Sequence, residues 1–362
     1  MYTLEEKICI LLGENTVPST KFFQLWSLFD NAEHMVATFS HSRDAQNVLG
    51  NAYSKLKTAI SEHSFDKIID DMLGHEVYAV TWFSPDYPAQ LRDISDPPYV
   101  LFCKGNVKLF ATDCLAVIGT RKVSSYGRRI AKDFTAILSE YFTIVSGLAY
   151  GVDGIAHETT LDEQGKTIAV LGGGLLNVYP AANQGLADRI VANGGLLVSE
   201  YGLRAIPMAY NFPHRNRIVS GLSRGVLVCQ APAKSGTLST VDLALDQGKD
   251  IFVVPGEIYD ASFSGSNRLI KTVQAACVTT PRDIVDFYGF DRKPSATQSY
   301  QVSMEEQAIV NVLARGQMSF DELVTQTGLA PAQLNFLLAN MEIKSIIVRL
   351  SGNLYRLHGG IE

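Results

Sequence analysis

Six short apolar runs, CLAVIG, TIVSG, TIAVLGG, LLVSE, VLVCQA and DIFVVPG, recur between residues 114 and 280 with helix-compatible segments between them. Each is a continuous stretch of Val, Ile and Leu without the polar alternation of a half-solvated strand, so both of its faces need covering. Strands of this kind separated by helices build a parallel sheet with helices on both sides, an α/β arrangement with a Rossmann-like core. Open sheets of that type bind ligands outside the carboxyl ends of their strands. The loops that follow the runs are therefore the place to look for function.

The flanks differ in character. Residues 1–76 carry helical periodicity in TLEEKICILL, TKFFQLWSLFDNAEHMVATF and FDKIIDDMLG, which predicts a small helical domain. Pro85, Pro88, Pro97 and Pro98 then forbid helix and predict an extended crossover into the α/β domain, 77–290. Residues 291–302 have the polar composition of a linker. Over 303–362, three helical patterns and two short strands around Ser351-Gly352-Asn353 predict a winged-helix domain.

Composition limits the function classes. With 46% hydrophobic and 19% charged residues, the chain can bury a large core, and its net charge of −6 excludes a diffuse polycation. That charge is unevenly spread: 6 basic against 11 acidic residues over 1–76, 21 against 20 over 77–302, and 4 against 6 over 303–362. No apolar run approaches membrane-spanning length, and the opening MYTLEEKICILLGEN carries acids where a secretory leader needs bases, so a cytoplasmic location is expected. Cys9, Cys103, Cys114, Cys229 and Cys277 show no metal-ligand spacing and no disulfide framework, and are expected to be reduced core residues. No cofactor or metal motif is supported.

Two stretches are free of acids. Between Asp113 and Asp133 lie Arg121, Lys122, Arg128, Arg129 and Lys132, beside Gly119 at a strand-to-helix turn suited to phosphate. Between Glu200 and Asp242 lie Arg204, Arg215, Arg217, Arg224 and Lys234. Within it, YNFPHRNR interleaves Tyr210 and Phe212 with His214, Arg215, Asn216 and Arg217, as base stacking plus backbone neutralisation requires. The rival reading buries the aromatics in the core and pairs the arginines with distant acids. Lys234, Ser235, Gly236 and Thr237 add a phosphate-cradling loop, and Ser146, Gly147 and Gly151 mark another strand end. Asp153 is expected to cap the following helix, and His157 to be a packed histidine.

Three motif matches fail on context. Gly221–Gly225 fits G-x-S-x-G, but the strand follows it, so Ser223 is no nucleophile. Gly165-Lys166-Thr167 lacks the earlier glycine of a P-loop. GGGLLN at 172–177 ends in Asn177, which leaves dinucleotide binding weakly supported.

The ordered series DYPAQLRDISDPPYVLFCKGN, AVIGTRKVSSYG, SGLAYGVDGIAH, FPHRNRIVSGLS, KSGTLSTVDLAL, VVPG and GSNRLI closely resembles the DNA-processing protein A (DprA/Smf) family. The N-terminal region resembles that family's variable helical domain (SAM or helix-hairpin-helix type), and the C-terminus its winged-helix tail. The resemblance implies a non-enzymatic, homodimeric single-stranded-DNA binder that protects incoming DNA and loads the RecA recombinase in natural transformation. It assigns DNA contacts to Arg121, Arg215, Arg217 and the Lys234–Thr237 loop, with Phe212 as a stacking face. Tyr150 stands where the family often has Arg, Gln230 where it often has Glu, and TVQAA at 272–276 lacks its usual Gly-Ala. The winged helix, acidic and with no base in PAQLNFLLANM, fits a protein-contact or dimer-regulating role better than DNA. The alternatives are a nucleotide phosphoribohydrolase-like enzyme, for which Thr240 falls where a catalytic Glu is needed, and a nucleotide-binding carrier.

Overall fold

The computed structural model describes residues 2–290 except 63, and 303–357 except 315, 345, 351 and 352. The chain divides into two compact units, 1–290 and 291–362.

The first unit begins with six helices, α1 (Leu4–Glu14), α2 (Ser19–Trp26), α3 (Ala32–Thr38), α4 (Arg43–Leu49), α5 (Ala52–Ser61) and α6 (Phe65–Gly74). A capping box starts α1: the Thr3 hydroxyl accepts from the Glu6 amide, and the Glu6 carboxylate accepts from the Thr3 amide. The periodic stretch 20–39 is two helices rather than one. It breaks after Trp26 and restarts at Asn31, whose side chain accepts from the His34 amide.

A nine-stranded sheet follows, made of β1 (Tyr78–Thr81), β2 (Val100–Gly105), β3 (Cys114–Gly119), β4 (Thr143–Ser146), β5 (Thr167–Val170), β6 (Leu196–Ser199), β7 (Gly225–Gln230), β8 (Asp250–Val253) and β9 (Ala276–Cys277). The order is β1-β2-β6-β5-β4-β3-β7-β8-β9. From β6 to β9 every pairing is parallel, whereas β1–β2 and β2–β6 are antiparallel. The six runs became six central strands. The extended crossover proved to be an antiparallel flange, with the prolines confined to the connection between β1 and β2.

Helices α7 (Ser125–Leu138), α8 (Val152–Asp162), α9 (Gln184–Ala192), α10 (Asn211–Gly221), α11 (Gly236–Asp246), α12 (Ser264–Lys271) and α13 (Pro281–Phe287) complete the unit. β3 lies between β4 and β7, so the chain runs outward on one side through β6 and returns to start the other side at β7. This switch point opens a crevice at the carboxyl ends of β3 and β7.

The N-terminal helices and the sheet share one core. Ile8, Cys9, Ile10, Leu11 and Leu12 of α1 are all buried, in a cluster that includes Tyr99, Val100, Phe102 and Leu197 of the sheet region. The Phe22 ring stacks on Tyr99 at 4.1 Å, and the Tyr99 hydroxyl donates to the Val17 carbonyl at 2.8 Å. Cys9, Cys103, Cys114 and Cys229 are buried as expected, but Cys277 is exposed because the two-residue β9 forms the sheet border.

The second unit has α14 (Met304–Leu313), α15 (Phe320–Thr327) and α16 (Pro331–Ile343), with β10 (Met318–Ser319), β11 (Ile347–Leu350) and β12 (Leu354–Leu357) in the order β10-β12-β11. Ser303 and Ser319 form capping boxes with Glu306 and Glu322, and Pro331 opens α16. The linker 291–302 and the Ser351-Gly352 turn lie outside the described residues. On α16, Leu334, Leu338 and Met341 are buried while Phe336 is exposed.

Replacing Phe22 by Ala removes a fully buried ring from the shared core and should cost about 3–5 kcal/mol in urea unfolding. The loss should displace the transition of the whole 1–290 unit. A separate early transition confined to the helices would contradict a common core.

Candidate nucleic-acid interface

The switch-point crevice holds a cleft of about 750 Å³. Its floor and walls are the loops after β3, β4 and β7 and the first turns of α10 and α11. Gly119, Arg121, Lys122, Gly147, Phe212, Arg215, Asn216, Lys234, Ser235, Gly236 and Thr237 all line it. Segments more than 100 residues apart in sequence thus converge on one opening.

The α11 end opens onto the cleft with its N-terminus uncovered. Ser235 caps the helix, its hydroxyl accepting from the Thr237 amide at 3.2 Å, and Lys234 stands exposed just before it. A Cβ on Gly236 would meet no atom within 4 Å, so no packing inside the protein requires glycine there. The open side suits close approach of a phosphate to the helix N-terminus.

Opposite, Arg121 and Lys122 are exposed after β3. The Arg121 guanidinium lies 5.6 Å from the centre of the Phe212 ring, and Tyr179 lies 5.4 Å from the same ring at 47°. Gly151, at φ +80°, packs against the Thr120 carbonyl and the Arg121 backbone, where a side chain would collide. That contact fixes the β4 loop against the β3 loop.

Arg215 is buried and donates to the Gly147 carbonyl at 2.8 Å. Asp153 accepts from the amides of Gly147 (3.2 Å) and Ala149 (3.4 Å), so it ties down the loop before α8 rather than capping its own helix. Gly151 occupies the cap position. Burial pushes the Asp153 carboxyl up and the Arg215 guanidinium down, to about 10, each against the attraction of the other's charge. Asp153 is the one carboxylate among the lining residues, which leaves Arg121, Lys122 and Lys234 uncompensated there.

Arg217 requires correction as a DNA contact. Its guanidinium is held by Glu200 through two bonds of 2.7 Å, and its Nε donates to the Asp96 carbonyl at 2.8 Å and carboxylate at 3.1 Å. It is 4% exposed and does not line the cleft. Pairing with distant acids, the rival reading of this stretch, also describes Arg204 with Asp71 and Arg224 with Asp113. Ser146 is likewise internal, donating to the Val117 carbonyl at 2.7 Å. Arg128 is exposed on α7 and outside the cleft.

His214 joins the Arg217 network, with Asp96 at 2.9 Å and Glu200 at 3.2 Å. The hydrogen bond to Asp96 and then that to Glu200 raise its pKa to about 9. Hydrogen bonding from His214 and the Arg217 charge hold Asp96 below the usual carboxylate range, and Glu200 is held low against its own burial by the same two partners. His157 is a packed histidine joined to Thr167 at 2.7 Å, its pKa driven down to about 3 by burial. The Ser223 hydroxyl donates to the Val219 carbonyl.

Sequence reasoning missed Tyr179, an aromatic beside Pro180 beyond β5 with no charge pattern to mark it. It also missed the use of the GGG run. Gly172 leaves room for the Phe212 ring, Gly173 for Pro207, and Gly174 for the carbonyls of Gly202 and Leu203. The glycines form a bed for the segment leading into α10.

Two outcomes test the electrostatics. Arg217→Ala strands Glu200 and should destabilise the protein by about 3–5 kcal/mol in urea unfolding. Because the His214 pKa is raised on folding, its stabilisation is complete below the ordinary histidine pKa and is lost as pH climbs through about 9. Stability should fall by about 1 kcal/mol between pH 7 and 10, after discounting for a side chain that is 46% exposed, and His214→Asn should abolish that fall.

A family model for DNA recombination-mediator protein A matches residues 78–289, and one for the DprA winged helix domain matches 293–353. Protein Smf of Escherichia coli (strain K12) is 40% identical over 245 residues, covering 67% of this chain and 63% of that protein. DNA processing protein DprA of Streptococcus pneumoniae is 42% identical over 204 residues, covering 56% of this chain and 72% of that protein. The match therefore spans just under two thirds of the Escherichia coli relative. The crystal structure of Streptococcus pneumoniae DprA superimposes with a TM-score of 0.65 at 33% identity, over 79% of this chain and 98% of that one. The Helicobacter pylori DprA structure, described for its single-stranded DNA binding mode, gives 0.54 at 32%, over 59% and 95%. Among the described residues no helix is long and apolar enough to cross a membrane. By its sheet domain and its winged helix alike, this chain belongs to the DNA recombination-mediator protein A family.

Proposed function

We propose that the chain binds single-stranded DNA in the switch-point cleft and acts as a recombination mediator. In that role it protects an incoming strand and loads a RecA-type recombinase during natural transformation, as a cytoplasmic homodimer that makes and breaks no bond. The observation carrying this reading is the combination of free cations, Arg121, Lys122 and Lys234, with a ring, Phe212, and an open helix N-terminus in one cleft. Cations neutralise the backbone and the ring receives an unstacked base. The binding mode named for the Helicobacter pylori relative supports the same substrate. The cleft's one carboxylate, Asp153, is engaged by two amides and faces the charge of Arg215, and Thr240 lines the cleft where a phosphoribohydrolase would need its Glu, so binding is favoured over hydrolysis.

A salt titration of binding to single-stranded and duplex oligonucleotides tests it. Single strands should bind more tightly, with a log–log slope of about −0.7 per neutralised phosphate. Arg121→Ala and Lys234→Ala should each reduce that slope by about 0.7. Phe212→Ala should cost about 1–3 kcal/mol in affinity with the slope unchanged. Failure of the parent protein to bind single strands at low salt would overturn the reading.

A further inference from the structure

Residues 205–212 form a strap over the glycine bed. The Gly174 amide donates to the Ala205 carbonyl at 2.9 Å, and Pro207 packs on Gly173. Along the strap Ile206 is 72% exposed, Met208 47% and Tyr210 71%. The strap then enters α10 with Phe212, and Ala209 itself lines the cleft. Three large apolar side chains stand in solvent in a row that ends at the stacking ring, with no described partner to cover them. An exposed contiguous apolar row marks a binding surface.

Upstream, the strap is anchored by the N-terminal helices. The Leu203 amide donates to Glu14 of α1 at 2.8 Å, Arg204 is ion-paired with Asp71 of α6, and the Asn177 side chain donates to the Arg204 carbonyl. Such anchoring presents the row in one fixed arrangement, which lowers the ordering cost of binding.

We infer that Ile206, Met208 and Tyr210 continue the base-contacting path out of the cleft and hold the bases of the strand beyond Phe212, resting on the single-strand reading above. Continuity with the cleft favours nucleic acid as the occupant. So does charge, since no acid occurs between Glu200 and Asp242. Residues 209 and 210 make a turn closed by the Asn211 amide, which donates to the Met208 carbonyl at 2.9 Å, so Tyr210 sits at the cap of α10, two residues before Phe212. Tyr210 offers a flat face, while Ile206 and Met208 offer apolar contact without charge, so the path discriminates little among bases.

The test uses the full chain with Ile206→Ser, Met208→Ser and Tyr210→Ser combined. Fluorescence anisotropy is read with oligothymidylates of about 4 and about 16 nucleotides, the extremes of a single-fold site size. The short oligomer should bind as it does to the parent, the long one about ten- to a hundredfold more weakly, and the salt slope should not change. A second variant, Ile206→Phe with Met208→Phe, should tighten the long oligomer selectively. Equal affinities for the long oligomer in all three proteins would overturn the inference. So would a reduced salt slope, or altered self-association in sedimentation with oligonucleotide binding intact. A parent protein that binds neither oligomer would instead refute the single-strand reading itself.

Discussion

The cleft depends on two buried arginines of α10 being neutralised. Arg217 is held by Glu200 at the end of β6 and by Asp96 in the loop before β2, while Arg215 holds the Gly147 carbonyl after β4 and faces Asp153. Burying a guanidinium is expensive unless opposite charge and hydrogen bonds meet it. Here the compensation comes from three separate segments, so satisfying the charges also fixes where α10 lies. Phe212 and Asn216, which line the opening, are carried on the same helix. The internal cations set the geometry, and the outer ones, Arg121, Lys122 and Lys234, remain available to a ligand.

That division was only half legible in the sequence. The six central strands were readable because each is apolar without interruption, a pattern that only a doubly covered strand needs. The cleft's location followed from the strand ends. The flange was hidden, because four prolines around it dominate local propensity while β1 and β2 take their strand character from pairing with each other and with β6. Residues 201–241 announced positive charge correctly but not its disposition. Arg217 is absorbed by Glu200, 17 residues back at the edge of that stretch, and by Asp96, 121 residues away, while Arg204 is absorbed by Asp71, 133 residues away, and nothing in the stretch itself records these pairings. Asp153 was visible as a helix-start carboxylate, yet its bonds go backward to the preceding loop.

The net charge of −6 is likewise an average over unlike parts. Acidic excess is concentrated in residues 1–76 and 303–362, so neither segment offers a polyanion the local cation excess that the cleft does. The N-terminal helices also earn a structural place that their sequence alone does not reveal, sharing a core with the sheet and touching the loop that leads into the strap.

The antiparallel flange decides whether the sheet can grow by another strand. Every residue of β6 is buried, and without β2 its backbone donors and acceptors would form a straight, greasy seam open to any passing strand. Two short strands close that seam and are themselves tied to the N-terminal segment, the Tyr2 hydroxyl accepting from the Ala79 amide and the Tyr99 hydroxyl donating to the Val17 carbonyl. The opposite border is left with a two-residue strand, too brief to template much pairing. The sheet is thus finished on one side by a cover and on the other by running out of length, so neither border offers a long bare strand for another chain to extend.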